Sequence, residues 1–153
     1  MLQPPPLTRR HLVALAAATP WLVPPAATAG RPASLTFATL YKTIGVRGME
    51  FSDRVQRLKG QDVAITGYMA PPLKAESRFF VLSSEPLALC PFCQSDAEWP
   101  VDIVVVYLSE VMPLLAAGLR ITVSGRLDVG SWLDPDTGFV SLLRLVDANY
   151  RDA

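Results

Sequence analysis

Histidine is almost absent from this chain, cysteine is rare, and the charges cancel. The 153 residues hold 1 histidine, 2 cysteines, and 14 basic residues against 14 acidic ones. The single histidine, His11, lies in Thr8-Arg9-Arg10-His11-Leu12-Val13, where a twin arginine precedes a moderately apolar stretch from Leu12 to Ala18. This pattern reads as a Tat-type signal peptide over residues 1–29. Ala27-Thr28-Ala29 offers small residues at the positions a signal peptidase reads, so the mature chain is expected to begin at Gly30 in the periplasm. The apolar stretch is broken at Pro20, Pro24 and Pro25 and falls short of the roughly 20 apolar residues that span a bilayer. No membrane span is expected in the mature chain.

Removal of the signal takes the histidine with it, and that loss constrains the chemistry. Without an imidazole, Ser-His and Cys-His nucleophilic catalysis and histidine metal ligation are excluded. The expectation is a protein without enzymatic activity. Signal removal also takes Arg9 and Arg10, leaving about 12 basic residues against 14 acidic ones, a net charge of about −2. Such a balance lacks the electrostatic footprint of a nucleic-acid binder.

Residues 30–50 read as a leader, small and polar to about Leu40, and 51–153 as one domain, because so short a chain builds a single core. Apolar residues at Phe51, Val55 and Leu58 predict a short N-terminal helix over Phe51–Leu58, with Ser52 or Glu50 as its cap. Alternation predicts strands over Asp62–Tyr68, Arg78–Leu82, Leu119–Leu127 and Phe139–Val146, the last two joined by a turn at Asp134-Pro135-Asp136-Thr137-Gly138. The β-branched run Asp102–Tyr107 predicts a strand buried on both faces. A helix from Glu110 to Ala117, capped by Ser109, follows it. The order β-β-β-α-β-β is that of a mainly β, five-stranded, OB-like Greek-key barrel, and Gly67 and Gly125 suit its sharply coiled strands.

The two cysteines stand in Leu89-Cys90-Pro91-Phe92-Cys93-Gln94, between the second and third predicted strands. Thiols at this spacing close a disulfide, chelate a soft metal or exchange electrons with a partner. As a structural staple the disulfide is weak, since closing a loop of about four residues is worth roughly 2 kcal/mol against about 3 for fifteen. It would still fix the loop, and oxidation is the ordinary fate of paired thiols outside the cytoplasm. As a metal site, zinc or copper, the pair is half of a tetrahedral thiolate centre. Asp96, Glu98 and Asp102 are the nearby carboxylates that complete it, and Met69 offers a thioether to Cu(I). Tat export carries folded chains, which lets a metal be loaded before translocation. As a redox centre, Cys-Pro-x-Cys is thioredoxin-like, yet the expected loop setting with acids nearby raises a thiol pKa instead of lowering it. Trp99 and Trp132, in two loops, are candidate contacts for a protein partner.

Leu58-Lys59-Gly60-Gln61-Asp62-Val63-Ala64-Ile65-Thr66-Gly67-Tyr68-Met69-Ala70-Pro71-Pro72, then Phe79-Phe80-Val81-Leu82, the cysteine loop and Ile103-Val104-Val105-Val106, resembles a family of exported bacterial proteins known as domain of unknown function 3299. The resemblance spans roughly Tyr41 to Asp147. It implies a small OB-like periplasmic protein or lipoprotein, some members being encoded beside ABC-type transporters, and hence a link to export or metal handling and to a periplasmic or membrane transport partner. Relatives carry Cys-x-His and a proline run in the loop. By that resemblance Cys90 carries over, and Cys93 stands in as the soft ligand where the histidine is missing.

Overall fold

The structure is a computed structural model that describes residues 30–45, 48–70, 78–87, 100–111 and 118–153. Every element below belongs to the unit Arg31–Ala153. The proposed export signal, residues 112–117 of the second expected helix, and Cys90, Cys93, Asp96, Glu98 and Trp99 lie outside the described residues.

Alternating sequence becomes alternating burial. In β4 (Asp62–Met69) the side facing the core carries Val63, Ile65, Gly67 and Met69, and in β7 (Arg120–Leu133) it carries Ile121, Val123, Gly125, Leu127 and Val129. The continuous apolar runs become strands covered on both faces: β5 (Phe79–Ser83) is buried throughout, and β6 (Ile103–Leu108) is buried except at Tyr107. β8 (Val140–Asp152) completes the set. The molecule is mainly β.

These strands pair in a ring. β4 runs antiparallel to β7 from Asp62↔Arg126 to Tyr68↔Arg120, β7 antiparallel to β8, β8 parallel to β6, and β6 antiparallel to β5. The ring closes where β5 meets β4 over two pairs, Tyr68↔Ser83 and Met69↔Leu82. β1 (Ala33–Leu35) lies parallel to β4 along the part of its edge that β5 leaves open. Two glycines permit the tight curvature. A Cβ at Gly67 would sit 2.5 Å from the Ser83 carbonyl oxygen at the closing seam, and one at Gly125 would sit 2.9 Å from the Ala148 Cβ.

Residues 30–50 contribute more to the fold than a leader does. Besides β1 they hold a 3₁₀ turn (Phe37–Thr39) and, with Phe51, an antiparallel hairpin of β2 (Tyr41–Gly45) and β3 (Gly48–Phe51). Leu35 and Leu40 are buried in the core. The helix α1 runs from Asp53 to Leu58, shorter than expected, because Phe51 pairs with Tyr41 in the hairpin and stacks on its ring at 5.1 Å. Ser52 is its cap: the Oγ accepts from the Val55 amide at 3.2 Å and donates to the Thr39 carbonyl at 2.6 Å. Val55, the inward residue of the helix, is fully buried.

Candidate functional site

The stems of the cysteine-bearing connection are well anchored. β5 and β6 pair up to Ser83↔Ile103, and the Ser84 amide then donates to the Asp102 carbonyl at 3.0 Å. Ser83 is buried, and its hydroxyl is within reach of the Tyr68 carbonyl at 3.2 Å and the Glu85 carbonyl at 2.6 Å, which ties the departing chain to β4. The connection thus leaves from a closed ladder end. Of the expected metal ligands Asp102 is described, on the returning stem. Its half-buried side chain makes no ion pair or hydrogen bond among the described residues. Met69 is fully buried in β4; a thioether there is core packing, closed to a surface metal. Among the described residues no three metal-ligating side chains come together.

Beside these stems lies an open cavity of about 320 Å³. It is lined by Phe37, Ala38, Tyr41 and Ile44 from residues 37–44 and by Ser84, Val101 and Asp102 from the two stems.

Trp132, the other described candidate, sits on a polar and aromatic cluster that periodicity did not reveal. Arg144 is 4 % exposed, yet each of its three guanidinium nitrogens has an acceptor. Nε and Nη2 donate to Asp128 Oδ2, directly opposite on β7, while Nη1 donates to the Gly130 carbonyl at 2.7 Å and to Ser141. The guanidinium lies 5.4 Å from the Trp132 ring centroid, a cation–π distance. Tyr107 meets the same indole edge-on at 5.2 Å and stacks on Phe79 at 5.4 Å. Its hydroxyl donates to Asp134 Oδ2 at 2.8 Å, and the other Asp134 oxygen accepts the Asp136 and Thr137 amides across the turn. The expected turn is therefore held by an aspartate side chain.

The electrostatics follow from these contacts. Hydrogen bonding to Arg144 holds the Asp128 carboxyl below its usual range. Burial pushes Asp134 upward, but hydrogen bonds from Tyr107 and the two turn amides outweigh it, so its pKa also falls. Burial first, then the hydrogen bond and charge of Asp134, raise the Tyr107 phenol far above an ordinary tyrosine. With its polar groups so engaged, the cluster fixes an indole that remains 39 % exposed, next to the exposed Leu133. No signal for it was present in the sequence: Arg144 alternates with Leu143 and Leu145, which reads as an outward, solvated position, and only the fold shows it buried.

No family model matches the chain, and no curated protein matches it. The fold of a solved structure does match. A DUF3299 family protein from Pseudomonas aeruginosa PAO1 is 13 % identical, with a TM-score of 0.51, covering 81 % of this chain and 99 % of that one. The likeness extends over nearly the whole of that protein and is one of fold, in the family that the sequence resembles.

Proposed function

We propose that this chain is an exported, OB-like, non-enzymatic member of that family. In this reading it handles a thiophilic metal, zinc or copper, in the periplasm through Cys90 and Cys93, as an accessory to a transport protein. The OB reading is supported by the ring order, in which the third and fifth barrel strands run parallel and the fourth pairs with the first. Placed on that plan, the cysteines occupy the connection between the second and third barrel strands. Cys90 and Cys93 supply the thiolates, and Asp96, Glu98 or Asp102 completes the set. The observation that carries the metal reading is that the Asp102 carboxylate, at the pinned base of this connection, has no ion pair or hydrogen bond among the described residues. Native mass spectrometry of protein purified from the periplasm tests it. A mass increased by one zinc or copper ion supports the metal reading, whereas loss of two protons to a disulfide, with no metal, contradicts it.

The held and half-exposed Trp132 favours a second use of the same molecule, docking of a protein partner. On an OB plan the second and third strands and the connection between the last two form the binding face. Trp132 is the exposed member of the aromatic group it forms with Tyr107 and Phe79; Tyr107 beneath it is half-buried and Phe79 is buried. Trp132→Ala abolishing co-purification of a transport partner, with the fold unchanged, is the expected outcome. Undiminished co-purification would contradict this use.

A further inference from the structure

Among the described residues, the cavity beside the β2–β3 hairpin is lined by aromatic and aliphatic side chains and one formal charge. Its volume of about 320 Å³ lies at the small end of ligand pockets, which run from roughly 300 to 1,000 Å³. Phe37 and Tyr41 are its aromatic lining residues, the Tyr41 ring being stacked on Phe51, Ile44 and Val101 its aliphatic ones, and Asp102 carries the charge. No arginine or lysine pairs with Asp102 among the described residues.

This combination selects among ligand chemistries. An anion would be repelled by Asp102, and a neutral apolar molecule would remove water from the carboxylate without replacing its interactions. A cation with an apolar body satisfies every wall: the charge meets Asp102, aromatic rings attract it further, and the body covers Ile44 and Val101. We propose that this cavity binds a small organic cation, an ammonium group on an aromatic or aliphatic body. The site requires neither cysteine and goes beyond the metal reading, but it shares Asp102 with it, so a metal that takes this carboxylate competes with the organic cation.

The test uses the full mature chain carrying Cys90→Ser and Cys93→Ser, so that loss of thiolate metal binding has no influence on the outcome. Benzylammonium and benzyl alcohol share one ring and differ in charge, and amide NMR shifts report where each binds. Benzylammonium is expected to shift Ile44, Ser84 and Asp102 and to bind about tenfold more tightly than the alcohol. Asp102→Asn should erase that difference while the rest of the spectrum stays dispersed and unchanged. Ile44→Trp, which fills the cavity from an exposed strand position, should weaken both ligands. Equal affinity of the two probes, no binding at millimolar concentration, or shifts confined to other parts of the barrel would each overturn the proposal.

Discussion

Arg144 shows how a single buried charge organises its surroundings. It stands opposite Asp128 in the β7–β8 ladder and supports the Trp132 ring, so truncation removes a charge-assisted pair and leaves the Gly130 carbonyl without its Arg144 donor. Arg144→Met is expected to cost about 2–4 kcal/mol, read as a lower urea midpoint, and to loosen Trp132, read as a red-shifted emission. An unchanged midpoint would mean that the network adds little beyond packing. The carboxylates set the acid limit. Asp128 and Asp134 are depressed, so their stabilisation is complete above the unfolded-state value of about 3.9 and disappears as pH falls through the folded-state value. Asp134→Asn should therefore lower the melting temperature at pH 7, and the gap to wild type should narrow below about pH 4. A gap independent of pH would contradict this assignment. Neither aspartate was legible as a functional residue, because isolated acids near a turn look like solvated ones. Only the strand register brings Asp128 to Arg144.

Among the elements, legibility followed periodicity. Each of the five expected barrel strands is present, and the Asp134 turn falls where it was read. The ends are where the reading stopped early. In β8 the inward set is Ser141, Leu143 and Leu145, but beyond Asp147 it shifts to Ala148. The extra residue there appears against both neighbours, and Asp147 has a φ of 52°. A bulge reverses the phase of alternation, so the strand appeared to end at Val146. The short β1, β2 and β3 carry too few residues for any period to show. Two strand predictions belong here. Val123→Asp should unfold the domain, because Val123 is wholly buried and a carboxylate there has no partner, whereas Thr122→Asp should be milder because that side chain faces outward to Thr66. Equal tolerance by circular dichroism would contradict the observed facing. Gly67→Ala should destabilise by about 2–3 kcal/mol in a denaturant melt, since its Cβ would press on backbone at the two-pair seam. A loss no greater than that of an ordinary surface substitution would show that the seam yields.

For the whole molecule, the account joins a closed β ring to a chemically distinctive connection. The ring was legible because its strands are regular. Cys90 and Cys93 stand out in the sequence as the candidate pair because it has no other thiol, and they lie outside the described residues. Which acids would complete the proposed site was not legible, because carboxylate ligands and solvated acids look alike in a sequence. The export reading makes its own prediction: replacing Arg9 and Arg10 by lysine should hold the precursor in the cytoplasm, and normal periplasmic delivery would mean a general secretory signal. The central claim is the metal. Its most direct measurement is an anaerobic competition titration of the reduced mature protein with Zn2+ and Cu+, beside the Cys90→Ser/Cys93→Ser variant. The account predicts uptake of about one ion with release of thiol protons, lost in the double variant while the barrel stays folded. Wild type binding neither ion more tightly than the double variant would contradict it. The disulfide potential would then decide between the remaining chemistries, a value below about −300 mV marking a structural bond and a higher one a redox couple.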